Sequence, residues 1–449
     1  MHVIVVGAGE VGTFVAESLS KENHDVAVVD IDRENIRKLQ SQLDAHIVYG
    51  SGANPKVLEA AGIEHAEMVV AVTNSDETNL LVSGVADDAG VATKVIRLED
   101  KDLRSKSARK LRSKMGVSHV IDPDFETGEE VLELIEFPGT SEVAVMAGGE
   151  VIVVGAVLPE DAELAGVTLQ ELAARYEPEW EFLVGAISRE GETIIPRGNH
   201  ALEAYDHVWI LCRRRARKEL FKLMGLKRPI PREIVLLGGG SIAETVASGL
   251  ADRGATRVTV VERDPERALE LAEELDKAMI LQGEIADPEF LDGPTVENAD
   301  MVIASTGEDD ANVLACIAAK QAGCDEAIAV IHRLELLPVL HSVGIDVALS
   351  PRTAMASAVM RYVRGGGFSS IQTFLEGDLE VLELEVDKGS RADGEMVAEL
   401  RLPKEVLIGA IVRDGRASIA RGRSEFRARD KVIAFARPDA VAKLKDIFG

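Results

Sequence analysis

At 449 residues the chain exceeds what one hydrophobic core supports, roughly 250–300 residues, so several domains are expected. Apolar residues make up 46% and aromatics only 4%, so those cores are built mainly from Val, Leu, Ile and Ala. A formal net charge of −27 argues against broad nucleic-acid binding through a basic face, and fits a salt-rich cytoplasm and ordinary solubility equally.

The first predicted element is the run His2–Val6, a buried parallel strand by its Val and Ile content. It ends at Gly7-Ala8-Gly9-Glu10-Val11-Gly12, which opens an amphipathic segment from Thr13 to Ser20. A second apolar run, Val26–Val29, stops at Asp30 and is followed by Ile31. This order predicts a dinucleotide-binding βαβ unit. Gly7 allows the tight turn, Gly9 lets a pyrophosphate approach the backbone, and Gly12 lets the helix pack close to the strand. The helix start at Glu10 and Val11 turns N–H groups and the positive dipole end toward phosphate. Asp30 lies 18 residues after Gly12 (30 − 12), near the roughly 20 expected of an acid that binds a ribose hydroxyl pair.

Further strands are predicted at 46–49, 67–72, 93–97 and 118–121, with helices between, for example Arg33–Gln42 and Asp76–Ala89. That alternation calls for a doubly wound parallel sheet. Gly50-Ser51-Gly52-Ala53 follows the third strand at the carboxyl edge, where such sheets hold ligands. Ser51 either meets the adenine ribose or turns the chain before a helix starting near Pro55. Thr73-Asn74 follows the fourth strand, with Thr73 near a bound nucleotide and Asp76 as a helix cap. Arg97 ends the fifth strand, as an anchor for phosphate, for an interface acid, or as a solvated charge. Asp124–Ile135 reads as a linking helix that ends before Phe137-Pro138-Gly139.

From about 137 to 225 the pattern changes. Strands at Val143–Met146, Val151–Val154, Val184–Arg189, Glu192–Ile195 and Val208–Leu211 surround a helix, Thr168–Tyr176, with turns at Gly148-Gly149 and Glu190-Gly191. This is a small α+β sandwich with antiparallel pairing. The basic run Arg213-Arg214-Arg215-Ala216-Arg217-Lys218 opens the helix that closes this half, either as a solvated face or as a contact for an acidic partner or membrane surface.

The whole arrangement then repeats. Gly238-Gly239-Gly240-Ser241-Ile242-Ala243 restates the glycine turn with Ala in the third position, which loosens the phosphate turn; Glu262 restates Asp30 at an offset of 232 (262 − 30). Gly283, followed by Glu284, restates Gly50, and Thr306 restates Thr73, both at 233 (283 − 50, 306 − 73). Asp287-Pro288 matches Asn54-Pro55, and Ala304–Asn312 matches Ala71–Asn79. Leu183–Gly191 pairs with Leu407–Gly415, and Asp206-His207-Val208 with Asp430-Lys431-Val432, at 224 (407 − 183, 430 − 206). Between them lies a short apolar helix, Ala354–Val363, and then Gly365-Gly366-Gly367 as a hinge. Four domains follow: 1–136 and 226–366 as Rossmann-like sheets, 137–225 and 367–449 as the small modules. An acid after each second strand disfavours a 2′-phosphate, so NAD-type or adenine nucleotides are preferred to NADP; it does not separate NAD from ATP or ADP.

No Gly-x-x-x-x-Gly-Lys-Ser/Thr loop, HExxH pair or nucleophile–base arrangement occurs, so neither ATPase chemistry nor another enzyme activity is supported, and no metal is expected. His332 and His341 near the second crevice read as polar fillers or interface residues. Cys212, Cys316 and Cys324, an odd and sparse set, suit a reducing compartment. The N-terminus enters a strand at once and no apolar stretch nears the roughly 20 residues that span a bilayer, so a soluble cytoplasmic protein is expected.

The tandem order, the glycine turn at Gly7, Val29-Asp30-Ile31-Asp32, Tyr49-Gly50-Ser51-Gly52, Ala71–Asp76, and the Gly185/Arg189/Gly191 and Gly409/Arg413/Gly415 repeats resemble the TrkA family of Trk-type potassium uptake systems. Each half resembles an RCK (regulator of potassium conductance) unit, a KTN-type Rossmann subdomain followed by a TrkA-C subdomain. The resemblance implies a regulatory, non-enzymatic subunit that binds NAD(H) and ATP or ADP. Four chains would form a ring of eight units on the cytoplasmic face, docked under a homodimeric integral-membrane potassium-translocating subunit (TrkH/TrkG-like). It carries Gly7, Gly9 and Gly12 to phosphate contact, Asp30 to ribose, Ser51 to adenine ribose and Thr73 to the crevice wall, with Gly238, Gly240 and Glu262 likewise. Ser51 stands where many relatives have an acid, and Ala243 where a glycine is usual. A phosphate reaching a neighbour's Arg97 or Arg333 would link ligand to ring shape. A regulator of another cation transporter or efflux system, and an NAD-dependent oxidoreductase, stay open as alternatives.

Overall fold

The computed structural model describes the chain except residues 22–23, 44, 178–179, 252–255, 286–290, 292, 341–342, 364–367 and 375–378. The glycine hinge at 365–367, the Asp287-Pro288 pair and His341 lie outside the described residues. Two compact units result. One takes Met1–Glu126, Arg352–Ile371 and Pro438–Lys445; the other takes Thr127–Pro351, Gln372–Arg437 and Asp446–Gly449.

In the first unit the apolar runs form β1 (His2–Val6), β2 (Asp25–Asp30), β3 (His46–Tyr49), β4 (Met68–Ala71), β5 (Thr93–Arg97) and β6 (His119–Ile121). They make a parallel sheet in the order β3-β2-β1-β4-β5-β6. Val6 is level with Val29 on one side and Ala71 on the other. The glycine turn, Asp30 and the loop after β4 therefore leave the sheet side by side, where strand order reverses, and there doubly wound folds hold ligands.

The second unit begins with the first small module: β7 (Glu142–Met146), β8 (Val151–Val157), β9 (Phe182–Arg189), β10 (Glu192–Ile194) and β11 (His207–Arg213), ordered β10-β9-β11-β8-β7 and antiparallel throughout. Its helix, Leu169–Tyr176, starts on a capping box between Thr168 and Glu171. Next come β12 (Glu233–Leu237), β13 (Arg257–Glu262), β14 (Met279–Gln282), β15 (Met301–Ala304), β16 (Glu326–Val330) and β17 (Val347–Leu349), a parallel sheet in the order β14-β13-β12-β15-β16-β17. The last sheet contains β18 (Phe368–Phe374), β19 (Leu379–Glu385), β20 (Val406–Arg413), β21 (Arg416–Ile419) and β22 (Lys431–Ala436), ordered β18-β19-β22-β20-β21.

The helix that follows each parallel sheet in sequence does not stay with it. Helix Pro351–Val363 buries Met355, Ala358, Val359, Met360 and Val363 in one core with Val3, Val5, Val15 and Leu19 of the first unit. Helix Pro123–Glu136 buries Val131, Leu134 and Ile135 in the core that holds Ile234, Val246 and Val260. It approaches helix Ser241–Leu250 closely: a Cβ on Gly128 would lie 2.7 Å from Thr245, and one on Gly249 2.4 Å from Leu132.

The two antiparallel sheets share a core of Ala186, Trp209, Leu211, Val381, Ile433 and Phe435. This explains the repeated glycines. Gly185 and Gly409 are both skipped by the ladder, between Val184 and Ala186 and between Ile408 and Ala410. A Cβ on Gly185 would lie 2.2 Å from the Phe435 ring. The matching arginines each hold one aspartate with two bonds, Arg189 to Asp206 at 2.7 and 2.7 Å and Arg413 to Asp430 at 2.8 and 2.6 Å. Glu190-Gly191 and Asp414-Gly415, all at positive φ, close the hairpins that follow.

The basic run is not a helix face. Arg213 ends β11, Arg214–Ala216 is a 3₁₀ turn, and the helix starts at Arg217. Glu181 takes Arg213 and Arg215, Gly149 O takes Arg214 at 2.9 Å, and Arg217 sits 5.2 Å from the Phe137 ring centre. All three cysteines are free and buried, and burial pushes the Cys212 and Cys316 thiols up to about 12. Among the described residues no helix is long and apolar enough to cross a membrane.

Glu326 opens β16 with its carboxylate buried, accepting the Gly139 N–H at 3.1 Å and facing Arg228 at 3.6 Å. Burial raises this carboxyl to about 7 against the pull of the guanidinium. The unfolded chain then releases the proton first, so stability present below the unfolded value near 4.5 is withdrawn as pH rises toward 7. We expect Glu326→Gln to gain on the wild type by about 3 kcal/mol between pH 4.5 and 8, read from urea unfolding. Parallel curves for the two proteins would refute the assignment.

Candidate functional site

Each parallel sheet carries a crevice at its carboxyl edge. In the first, Gly7 takes φ +106°, and a Cβ there would press on the Val72 and Thr73 backbone at 3.1 Å. A Cβ at Gly12 would fall 1.7 Å from Gly7 O, so helix and turn touch there. Gly9 meets nothing within 4 Å, which leaves room above the turn. Helix Glu10–Lys21 starts directly on it, and Glu10 pairs with Arg352.

Asp30 holds the backbone on both sides of the crevice's edge. One carboxylate oxygen accepts the Ala8 N–H and the other accepts the Asp32 N–H at 2.6 Å. The second crevice repeats this with one more methylene: Glu262 accepts the Gly239 N–H at 2.7 Å and the Asp264 N–H at 2.9 Å. Each oxygen keeps a lone pair for a ribose hydroxyl. The longer acid is matched by a smaller neighbour. Where the first turn has Ala8, the second has Gly239, whose Cβ would lie 2.9 Å from the Glu262 carboxylate and 2.4 Å from Leu271.

The substitution of Ala243 for the third glycine does not loosen the turn. Gly238 keeps φ +101°, Ala243 is fully buried, and the helix starts at Ser241. A cavity of about 460 Å³ opens above it, lined by Gly238–Gly240, Glu262, Glu284 and Thr306. Gly283 donates to Glu262 O at 3.0 Å, as Gly50 does to Asp30 O at 2.9 Å. Gly240, like Gly9, faces open space.

The wall on the other side is set by two residues that sequence reasoning did not single out. Asn79, fully buried, accepts from Thr73 N at 3.1 Å and Thr73 Oγ1 at 2.7 Å, and donates to Thr73 O and Arg97 O at 3.0 Å each. Asn312 does the same for Thr306 N, Oγ1 and O, with Val330 O as its fourth partner at 2.8 Å. The only sequence signal was the matched segment ending in these asparagines. Asp76 is not the helix cap; Ser75 is, through the Thr78 N–H. Asp76 instead takes the Glu99 and Asp100 N–H groups at 2.9 and 2.7 Å. Asp309 takes those of His332 and Arg333, both at 2.9 Å. Burial works against the Asp309 charge, but these bonds outweigh it and hold the carboxyl below the usual range.

The other predicted positions divide. Arg97 reaches Asn74 Oδ1 at 2.9 Å and Glu99 at 2.8 Å, at the crevice rim. Arg333 is held by Asp309 and Asp310 and stands at a different repeat position, since Val330 matches Arg97 (330 − 97 = 233). Ser51 is exposed and accepts the Ala53 N–H at 3.3 Å, while Asn54 caps the following helix. Gly52 is structural: a Cβ there would lie 2.3 Å from Val6. Ile31 is 68% exposed, and Ile242 is buried and Val11 half-buried, both against the cores, so those two offer a ligand only backbone. His332 bonds Asp309 at 3.1 Å. Among the described residues no His, Cys, Asp and Glu group is placed to hold a metal.

Known proteins match throughout. The TrkA-N domain model fits residues 3–123 and 234–351, and the TrkA-C domain model 153–225 and 381–449. The chain is 32% identical to the Trk system potassium uptake protein TrkA of Azorhizobium caulinodans, covering 100% of this chain and 98% of that protein. It is 32% identical to the TrkA homolog of Archaeoglobus fulgidus, covering 100% of both. Among solved structures, the GsuK RCK domain superposes with a TM-score of 0.58 at 17% identity, covering 100% of this chain and 94% of that one. The GsuK channel bound to NAD does so at 0.59 and 17%, covering 100% and 78%. At that identity the likeness is one of fold.

The pairing of Gly239 with Glu262 is testable by a double-mutant cycle. Gly239→Ala alone is expected to cost about 1–3 kcal/mol through overpacking, measured by urea unfolding. Adding Glu262→Asp, which recreates the Ala8–Asp30 pair, should recover at least half. Additive losses would show that the two positions are independent.

Proposed function

This chain belongs to the TrkA family, and on that premise we propose that it is the cytosolic, nucleotide-sensing regulator of a potassium-uptake transporter. The observation that carries this reading is that one polar frame is built twice. A glycine turn, an acid accepting the turn's N–H, and an asparagine fixing the opposite wall recur in both crevices. The polar groups are committed to holding backbone, which suits retention of a ligand rather than its turnover. NAD(H) and ATP or ADP are the ligand class, with Gly7, Gly9, Gly12 and Gly238, Gly240, Ser241 beside phosphate, Asp30 and Glu262 at ribose, and Thr73, Asn74, Arg97 and Thr306 along the wall. One fold relative, the GsuK channel, has been solved bound to NAD, which supports a nicotinamide dinucleotide among them.

The transporter itself is an integral-membrane potassium-translocating partner, which the names of the relatives support. Regulation requires more than one shape, because a ligand shifts an equilibrium only by its differential affinity for the states. A homotetrameric ring of eight Rossmann-like units on the cytoplasmic face supplies them. Its contact face is suggested by Leu81 and Leu314, the same repeat position (314 − 81 = 233), which are 50% and 65% exposed on helices Asp76–Asp88 and Asp309–Ala322.

Calorimetric titration with NADH, NAD, ATP and ADP tests the binding step. Gly9→Asp and Gly240→Asp each place a carboxylate in the open space above a turn, and each should remove one site, lowering affinity there by about 100-fold or more. Binding by neither crevice in the wild type would sink the proposal. Leu81→Asp combined with Leu314→Asp should reduce the particle mass in light scattering, and an unchanged mass would dismiss this contact face.

A further inference from the structure

The first crevice carries an ion pair, Glu10 with Arg352, whose positions do not recur in the second, which has its own pairs, Arg263 with Glu308 and Arg267 with Glu244. Glu10, the first residue of the helix on the first phosphate turn, contacts Arg352, which belongs to the second half of the sequence. Arg352 reaches it because helix Pro351–Val363 packs on the first parallel sheet through Met355, Val359 and Met360. The same helix is tied near its other end by Arg361 to Glu126 and by stacking of Tyr362 on His119, ring centres 4.1 Å apart.

Neither partner recurs in the second copy. Glu10 is matched there by Ser241 (241 − 10 = 231, the offset of Gly7 and Gly238). Arg352 follows the helix-opening Pro351, and its match after Pro123 is Asp124. A cation in a first helical turn opposes the helix dipole, whereas Asp124 and Glu126 agree with it. Arg352 therefore stands where its own helix disfavours it. The pair is 44% and 37% exposed at its two ends, a class of ion pair that adds little to stability and is easily exchanged.

We propose that Arg352 is the charge-reading residue of the first crevice, exchanging Glu10 for the terminal phosphates of a nucleoside di- or triphosphate. This rests on the nucleotide reading above and deepens it. The guanidinium fork bonds phosphate oxygens better than a lone carboxylate, and a nucleoside triphosphate carries more charge than a dinucleotide's pyrophosphate. Glu10 repels that charge unless Arg352 answers it. Occupancy by a polyphosphate then pulls on a helix from the second half of the chain, while a dinucleotide leaves the Glu10 pair in place. The second crevice has Ser241 and Asp124 at the matching positions, and its arginines stand elsewhere: Arg267 on Gly239 O and Glu244, Arg263 on Glu308.

The test uses full-length protein carrying Gly240→Asp, so that only the first crevice reports. ATP and NAD are titrated against this background alone and with Arg352→Ala, Arg352→Lys or Glu10→Gln. Arg352→Ala should weaken ATP about tenfold and NAD less than threefold; Arg352→Lys should lose less, and Glu10→Gln should tighten ATP. Hydrogen exchange in residues 351–363 should slow with ATP and not with NAD. A background protein that binds neither nucleotide overturns the binding reading for the first crevice, on which this role of Arg352 rests. Binding with the same ATP-to-NAD ratio in every variant overturns the role of Arg352 alone, and the two surface variants, Arg352→Lys and Glu10→Gln, keep that outcome readable if the alanine variant misfolds.

Discussion

The arrangement depends on a carboxylate–backbone bond at the end of the second strand of each parallel sheet. Asp30 accepting from Ala8, and Glu262 from Gly239, ties the end of the second strand to the glycine turn. Such charge-assisted bonds are among the stronger ones available, and here each is completed by a second N–H from the following loop. The acid shapes the turn before any ligand arrives. A ribose hydroxyl pair that engages it acts on the turn as well as on the strand, so recognition and local geometry are one event.

A second constraint is the exchange of helices. Helix Pro123–Glu136 is anchored in the second unit's core and helix Pro351–Val363 in the first's, each by three or more buried apolar side chains. Cores of this kind are close-packed and shift as bodies, not by gradual deformation. Each of these helices is thus packed in one unit while its chain belongs in sequence to the other half. The paired antiparallel sheets have the opposite character. Their bulged glycines, the Phe435 ring against Gly185, and the doubled Arg–Asp bonds leave no slack for repacking.

Much of this was legible in the chain. The strand β2 follows from its apolar run, helix Arg33–Gln42 lies where the alternation calls for one, and the duplicated pattern pointed to the fold class, because strand alternation and glycine turns are local signals. The missing parts have in common that their meaning lies in distant partners. Asn79 and Asn312 sit inside helices, where an asparagine carries no local signature; only burial against two strand ends makes them the wall's fixing points. Arg352 carries no signal in sequence until its helix is seen on the other half's sheet. The basic run was legible in part: Arg214, Arg215 and Lys218 are exposed, as charge density suggests, while the bonds to Glu181 and Gly149 and the Phe137 ring contact come from residues remote in sequence.

The duplication also supplies an internal comparison that one copy would not. Between the crevices the acid lengthens while its neighbour shrinks, from Asp30 with Ala8 to Glu262 with Gly239. The third glycine becomes Ala243, and the repeat position of Val72, which meets Gly12, becomes Ser305 (305 − 72 = 233). Paired changes of this sort keep the frame constant, since the turn holds φ near +100° in both. The pair Glu10 and Arg352 is replaced and not repeated: Ser241 and Asp124 stand at its positions, while in the second crevice Arg267 bonds Gly239 O and pairs with Glu244. Compensated differences preserve a shape that both crevices need. At the start of the helix on each glycine turn, by contrast, the frame is kept while the arginine and its glutamate change places: Arg352 with Glu10 in one crevice, Arg267 with Glu244 in the other.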